Sequence, residues 1–185
     1  MKVKYLNLLK KYIEMVYYCY IERDRTAYAR KLGVRVGRGG QILANPLKVF
    51  GTEPWLIKIG DHVDITAGVQ FLSHDGGIWV ARGLDPELNK YDSFKPITVG
   101  NNVMIGINSL IMPGITIGDN VIIGGYSVIT KDVSSNSIVA GVPAKPISNL
   151  ESYLERIQAN LVPTKHMSQE QKRAYLQKKH PEWFE

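Results

Sequence analysis

Aliphatic residues recur at every sixth position through the middle of the chain, with glycine and polar residues between them. A second, mostly aliphatic set lies four positions after each member of the first. The two sets are Val99, Ile105, Ile111, Ile117, Ile123 and Ile129, and Val103, Ser109, Ile115, Val121, Ser127 and Val133. Each hexad therefore reads as a short strand that directs two residues to one face. Glycine, asparagine and aspartate cluster between the strands, where the backbone must turn.

A period of six with this composition predicts a parallel β-helix, in which three hexads make one coil of about 18 residues. Successive coils stack about 4.8 Å apart, so residues one coil apart lie above one another. We therefore expect Ile105 to stack against Ile123, and Val99 against Ile117. Aliphatic ladders of this kind would fill the interior and replace a conventional core.

The pattern continues upstream of Val99 with two interruptions. The interval from Ile59 to Val99 is not a multiple of six, so an excursion over residues 73–96 leaves the predicted β-helix and returns to it. The register between Leu47 and Ile57 is also irregular. Loops as long as this excursion are usually functional or disordered, and burial of its aromatic residues would indicate an ordered, functional loop. These aromatic residues are Trp79, Tyr91 and Phe94.

Helical patterns flank the hexads on both sides. We expect a helical N-terminal segment over residues 1–31, a β-helix domain over residues 32–148 and a helical C-terminal extension over residues 149–185. In the extension, Ser168 is expected to cap the second of two helices, with Gln171 at the capping-box position.

The composition is that of a soluble globular protein, with 185 residues, 44% hydrophobic and 22% charged. A net charge of +6 favours polyanionic ligands, but no Arg/Lys-rich arm with interleaved aromatic residues occurs, so we expect no nucleic-acid partner. Cys19 is the only cysteine, which excludes an internal disulfide and fits a reducing, cytoplasmic compartment. No apolar run approaches the roughly 18–20 residues that a membrane span needs. The N-terminal helix is expected to pack on its own domain or to contact a membrane surface.

The hexads and the segments "SHDGG", "VITKDV" and "VAGVPAKPI" resemble the left-handed β-helix acyltransferases, the hexapeptide-repeat family. Within that family the chain is most similar to the sugar and polysaccharide O-acetyltransferases, over about residues 32–148. The resemblance implies an all-β fold with α-helical appendages, in which a left-handed parallel β-helix binds acetyl-CoA as co-substrate. It also implies a homotrimer with an active site in each cleft between neighbouring chains, and a sugar or polysaccharide acceptor.

In the family a histidine at the start of the excursion is the general base, and His74 occupies that place. A neutral imidazole suits the removal of a proton from an acceptor hydroxyl that attacks a thioester near pH 7. The N–H of Gly106 is our candidate to hold the oxyanion. The alternative is a solvated loop histidine beside the Asp75-Gly76 turn. Asp75, which follows His74 directly, could orient the imidazole, but the sequence does not decide which group does so.

For acetyl-CoA, the resemblance implies that the pantetheine arm lies along the outer face of the last coils, close to "VITKDV". The expected contacts are Gly124, Gly125, Ser127, Thr130, Lys131 and Lys145. Lys145, in "PAKP", would meet a phosphate of the cofactor as a point charge. Each lysine taken alone reads as a solvated surface charge.

Four residues are candidates to hold the acceptor. Asp64, Asp75 and Asn45 carry the carboxylate and amide groups that grip sugar hydroxyls, and Trp79 offers an aromatic face on which a sugar can stack. Asp75 and Trp79 also have plain structural interpretations, as a turn residue and as an anchor of the loop. Met104 stands where several sugar acetyltransferases have tryptophan, which leaves the identity of the acceptor open.

Other functions on a hexapeptide fold are a γ-class carbonic anhydrase, a non-catalytic binding module and an N-acetyltransferase of nucleotide-linked amino sugars. The first needs three histidines around a metal, and the coils contain only His62, expected at the surface, and His74, so we expect no metal site. The sequence favours an acetyl-CoA-dependent O-acetyltransferase that acts on a sugar hydroxyl, in the biosynthesis of a surface polysaccharide such as capsule or O-antigen.

Overall fold

The computed structural model describes the backbone of residues 2–185 and the side chains from residue 9 onward. It comprises two compact units, Met1–Glu151 and Ser152–Glu185. The strands are β1 (Arg35–Val36), β2 (Gln41–Ile42), β3 (Ile57–Ile59), β4 (Val63–Ile65), β5 (Gln70–Phe71), β6 (Ile97–Val99), β7 (Val103–Ile105), β8 (Leu110–Ile111), β9 (Thr116–Ile117), β10 (Val121–Ile123), β11 (Val128–Ile129), β12 (Ser137–Gly141) and β13 (Ala144–Asn149). The helices are α1 (Lys2–Val16), α2 (Arg25–Lys31), α3 (Pro46–Val49), α4 (Ile78–Leu84), α5 (Leu150–Gln158) and α6 (Gln169–Lys179).

Three sheets, parallel apart from the terminal strand β13, form the centre of the first unit. Their strand orders are β1-β3-β6-β9, β2-β4-β7-β10-β12-β13 and β5-β8-β11, so the chain visits the three sheets in turn. Ile105 pairs with Ile123 and Val99 with Ile117, which confirms the predicted stacking. Every residue of the two predicted inward sets is buried. The repeating coil read from the hexads is therefore present, and its aliphatic ladders form the core.

Glycine occupies one corner of each coil because neighbouring coils touch there. A β-carbon on Gly60 would lie 2.5 Å from the carbonyl oxygen of Gly100, and one on Gly100 would lie 2.7 Å from the carbonyl carbon of Gly118. Both distances are shorter than any side chain tolerates. This close approach explains why the residue after the inward aliphatic is glycine at this corner.

A ladder of side-chain hydrogen bonds runs across the coils at the same corner. His62 Nδ1 donates to Asn102 Oδ1 at 2.8 Å, and Asn102 Nδ2 donates to Asn120 Oδ1 at 2.8 Å. Asn120 Nδ2 then donates to Asn136 Oδ1 at 3.0 Å. All four residues have left-handed backbones, with φ between 53° and 61°. His62 is exposed, as expected, and serves as the first member of this ladder.

Both predicted interruptions of the coil are folded segments. The excursion contains α4 and a 3-10 turn at Pro86–Lys90, and it is closed at its base by an antiparallel bridge between His74 and Phe94. The irregular first coil contains α3 and a 3-10 turn at Pro54–Leu56. The aromatic side chains of the excursion are exposed, Trp79 by 78%, so its order does not depend on their burial.

The segments that flank the coils are helical. The coils themselves end in a strand, β13, that the sequence did not reveal. At the N-terminal end, Met15 of α1 and Cys19 of the π-helical turn Tyr17–Ile21 are buried against Tyr28 of α2. Strand β13 pairs antiparallel with β12 and covers its edge. In the second unit, Ser168 and Gln171 form the expected capping box of α6. No helix in the described residues is long and apolar enough to cross a bilayer.

Replacing Asn120 tests how strongly the side-chain ladder holds the coils together. Asn120→Ala removes two amide hydrogen bonds and places alanine, which disfavours a left-handed backbone, at φ 57°. We expect it to lower the free energy of unfolding by roughly 2–3 kcal/mol. Asn120→Gly removes the same bonds but tolerates the left-handed backbone, so it should cost roughly 1 kcal/mol less. Urea denaturation followed by circular dichroism measures both. Wild-type stability in the alanine variant would show that the ladder contributes nothing.

Candidate active site

His74 lies where the chain leaves the third sheet for the excursion. It is the third residue after β5, and its backbone bridges Phe94 at the other end of the loop. The rings of His74 and Phe94 meet edge to face, with centroids 6.5 Å apart. The His74 side chain is 41% exposed, so one side of the ring is held by the protein and the other is open.

The group that holds His74 is Glu53, which sequence reasoning missed. Glu53 Oε2 lies 2.9 Å from Nδ1 of His74 and accepts a second hydrogen bond from Ser73 Oγ at 2.7 Å. The Glu53 side chain is only 14% exposed. Glu53 lies in the irregular stretch between Leu47 and Ile57, where no periodic signal marks it. Its position beside His74 becomes visible only once the register of the coils is known.

The Glu53 carboxyl is ionised at neutral pH. Burial is the largest single influence on it and disfavours the charged form. Hydrogen bonds from Thr52, His74 and Ser73, together with the charge of protonated His74, outweigh burial and hold the pKa of Glu53 below its ordinary value. An ionised carboxylate can only accept, so Nδ1 of His74 carries the proton and donates it to Glu53. Nε2 is left with a free lone pair and can act as a base.

A cavity of about 330 Å³ lies beside the imidazole. Its lining contains both polar and apolar residues. The lining residues are Leu72, His74, Asp75, Gly76, Ser93, Lys95, Met112, Pro113 and Thr130. Leu72, Met112 and Thr130 each follow a strand of the third sheet, so stacking of the coils places them one above another.

A second cavity of about 390 Å³ shares Thr130 with the first. Lys131 and Lys145 both line it, together with Pro143 and Ala144 of the final hairpin. The structure therefore brings together three of the residues expected to contact acetyl-CoA, of which Thr130 and Lys131 follow β11 and Lys145 lies on β13. Two lysines in one cavity provide point charges suited to phosphate groups.

The other expected cofactor contacts lie elsewhere. Gly124 and Gly125 lie between the second and third sheets and line neither cavity. Ser127 is fully buried, and its hydroxyl donates to the Gly124 carbonyl at 2.6 Å. Its interior position corrects the expectation that it lies on the outer face. The N–H of Gly106 donates to the Ile123 carbonyl at 2.8 Å, so it is not free to hold an oxyanion, which corrects that expectation too.

The candidate acceptor ligands are dispersed in a single chain. Asp75 lines the cavity beside His74, and its Oδ1 also accepts from the Gly77 N–H at 2.8 Å, as its structural interpretation predicted. Asn45 caps α3 by accepting from the Leu47 N–H at 3.0 Å. Trp79 projects from α4 and lines neither cavity.

Asp64 is on a different face from His74. It lies in β4, on the outside of the second sheet, where it pairs with Gln41 on one side and Met104 on the other. Its Oδ1 atom is buried and has no hydrogen-bond partner within the described residues. A buried carboxylate oxygen of this kind usually has a partner, so Asp64 is a candidate to bind a group that this chain does not supply.

The chemistry of the site is that of one imidazole and one carboxylate. In the part of the chain that the structure describes, no three or more His, Cys, Asp or Glu side chains are grouped as metal ligands. The two histidines of the coils are also separate, because His62 bonds to Asn102 while His74 bonds to Glu53. This arrangement can take a proton from a hydroxyl or amine and return it to a leaving group.

Comparison with known proteins identifies relatives of this chain. The family of the bacterial transferase hexapeptide (six repeats) matches residues 96–131. Protein CapG of Staphylococcus aureus is 50% identical over 153 residues, which make up 83% of this chain and 87% of CapG. A solved galactoside acetyltransferase in complex with coenzyme A has a TM-score of 0.54 at 25% identity and covers 80% of this chain and 82% of that one.

A maltose O-acetyltransferase from Clostridium difficile 630 gives a TM-score of 0.50 at 27% identity, over 71% of this chain and 76% of that one. These structures share the stacked coils that the hexads predicted. Because half of the aligned residues match CapG over more than four-fifths of both chains, this protein belongs to the hexapeptide-repeat transferase family.

Proposed function

We propose that the protein is an acetyl-CoA-dependent O-acetyltransferase that acts on a sugar hydroxyl, in the biosynthesis of a surface polysaccharide such as capsule or O-antigen. The observation that carries this proposal is the pair of adjoining cavities. One holds an imidazole with a free Nε2, the other holds two lysines, and Thr130 lines both. The galactoside and maltose enzymes to which the chain is similar act on sugars, which supports the choice of acceptor.

Acetyl-CoA extends from the cavity that contains the two lysines to the cavity beside His74. The phosphates of acetyl-CoA lie against Lys131 and Lys145, and the pantetheine arm passes Thr130 toward His74. Leu72 and Met112 provide an apolar wall for the arm and for the acetyl group. The thioester is thereby placed next to the only imidazole that lines the described cavities.

The transfer is direct. Nε2 of His74 takes the proton of the acceptor hydroxyl as its oxygen attacks the thioester carbonyl, forming a tetrahedral intermediate. Collapse of the intermediate breaks the carbon–sulfur bond and leaves the acetyl ester on the sugar. The proton on His74 passes to the departing thiolate, which regenerates the neutral imidazole. No acyl-enzyme forms, and the ionised Glu53 stabilises the imidazolium that exists between the two steps.

The acceptor site is completed by a second chain. We take the coil to be left-handed and the protein to be a homotrimer, in line with the family resemblance. In a trimer, the outer face of the second sheet of one chain can oppose the cavity beside His74 of the next. The unpartnered Oδ1 of Asp64 then accepts a hydrogen bond from a sugar hydroxyl. This arrangement explains why one chain leaves Asp64 and His74 apart.

Replacing His74 tests the proposed base. His74→Ala should lower acceptor-dependent release of coenzyme A by roughly 100-fold or more, because it removes the imidazole that lines the cavity and serves as the proposed base. The assay follows thiol release from acetyl-CoA with a panel of neutral sugars, amino sugars and surface polysaccharides. His62→Asn is the matched control, since it removes a histidine but restores the residue found in the rest of the ladder.

Three outcomes would contradict the proposal in different ways. Undiminished release in His74→Ala would remove His74 from the mechanism. Acetylation of amino sugars alone would make the protein an N-acetyltransferase. Absence of release with every acceptor, and of acetyl-CoA binding by calorimetry, would make it a non-catalytic module.

Mixing two inactive variants tests whether the site is shared between chains. His74→Ala and Asp64→Ala chains should each be inactive alone, but trimers that contain both should recover up to about a third of wild-type activity, because one of their three clefts combines the intact His74 of one chain with the intact Asp64 of another. The variants are co-expressed with different tags, and trimers that carry both are purified and assayed. The control is a mixture of His74→Ala with His74→Gln, which cannot complement. Mixed trimers without activity would show that Asp64 and His74 do not form one site across chains.

A further inference from the structure

The irregular first coil brings a carboxylate to the imidazole. Gln41 pairs with Asp64, whereas Val103 pairs with Val121, so the first coil is five residues longer than the later one. The extra residues do not form a loop directed into solvent. They make the compact segment that includes α3 and the 3-10 turn before β3.

This segment is fixed against the third sheet. The ring of Phe50 stacks on that of Phe71, with centroids 5.9 Å apart, and both residues are fully buried. Gly51 then takes a left-handed backbone with φ 61°, and a β-carbon there would lie 3.3 Å from the Phe71 carbonyl oxygen. Glycine suits this turn, because a side chain would disfavour the left-handed backbone and crowd the Phe71 carbonyl. Glu53 follows two residues later and therefore faces the residues that follow β5.

The Glu53 carboxylate has a partner for each oxygen. Thr52 Oγ donates to Oε1 at 2.5 Å, while Ser73 Oγ and His74 Nδ1 both donate to Oε2. Buried Pro54 follows it directly and restricts the backbone. The carboxylate is thus held in one orientation before any substrate binds.

We propose that Glu53 is the positioning residue of the proposed base, and that the extended first coil exists to supply it. Glu53 fixes the tautomer of His74 with the proton on Nδ1, holds the ring so that Nε2 faces the cavity, and stabilises the imidazolium formed during transfer. Ser73 acts with it by holding Oε2 in place. This inference rests on the proposed function of His74, but its tautomer can be measured without any activity.

The groups that face His74 are Glu53 at Nδ1, and Asp75 and Lys95 on the walls of the cavity. Glu53 is the one that contacts the ring, through its hydrogen bond with Nδ1. The tautomer of His74 is therefore the specific test, because a residue with a merely structural role would not change it.

Two substitutions of Glu53 separate its charge from its hydrogen bonds. Glu53→Gln keeps an oxygen that accepts from Nδ1 but removes the charge, and kcat should fall roughly 10-fold. Glu53→Ala removes both, and kcat should fall roughly 100-fold. The KM for acetyl-CoA should change less than about twofold, because the lysines that hold its phosphates are untouched.

Glu87→Gln is the matched control for this series. Glu87 lies in the 3-10 turn of the excursion, is 80% exposed and pairs only with Lys90. The control loses the same charge from the same chain but lies away from both cavities, so its kcat should equal that of wild type. Ser73→Ala should show a smaller kcat loss, of roughly 3- to 10-fold, in the same direction as the Glu53 variants.

The tautomer of His74 can be measured from the ¹⁵N chemical shifts of labelled histidine side chains. The sequence contains four histidines, so each signal can be assigned to its residue. The wild type should show a single neutral form with the proton on Nδ1, Glu53→Gln should keep that form, and Glu53→Ala should show a mixture. If Glu53→Ala does not fold, the wild-type spectrum and the kcat of Ser73→Ala still test the inference. A kcat within twofold of wild type in Glu53→Gln, or a wild-type proton on Nε2, would overturn the inference. A wild-type protein that has the expected tautomer but transfers no acetyl group would overturn the proposed function and leave the hydrogen bond of Glu53 to His74 in place.

Discussion

Close stacking of successive coils is the constraint on which the rest of the structure depends. Hydrogen-bonded strands lie about 4.8 Å apart, so at the corner where the backbone of one coil points at the next there is no room for a side chain. Gly60 and Gly100 meet this requirement, since a β-carbon on either would strike the coil beyond it. The same spacing places each inward aliphatic residue directly against its equivalent and aligns the amides of Asn102 and Asn120 for hydrogen bonding. Core and turns therefore follow from a single distance.

That distance also assembles the candidate site from segments far apart in the chain. Residues at the same position of successive coils become neighbours, which is how Thr130 comes to line the cavity beside His74. The shared position of Thr130 joins this cavity to that of Lys131 and Lys145. Departures from the repeat add what a regular coil cannot provide. The excursion supplies His74, and the lengthened first coil supplies the carboxylate of Glu53, which is held by Ser73 as well as by the imidazole.

Periodic features were predictable from the sequence, and the aperiodic ones were not. The interior ladders and the register of Ile105 with Ile123 follow from a period of six, and the structure contains them. Glu53 lies where the period fails, so its contact with His74 depends on a tertiary path that no local pattern encodes. Ser127 was placed by sequence similarity on the outer face, although its own position in the inward set indicated burial. The sequence did not predict antiparallel β13, because its proline-containing segment shows no alternation of apolar and polar residues.

A crystal structure with coenzyme A and an acceptor analogue bound tests most directly the idea that the two adjoining cavities form one acetyl-transfer site. The cofactor should lie with its phosphates against Lys131 and Lys145 and its sulfur within roughly 4 Å of Nε2 of His74, near an acceptor hydroxyl. Coenzyme A bound instead at the corner of Gly124 and Gly125, with its sulfur remote from His74, would contradict the account.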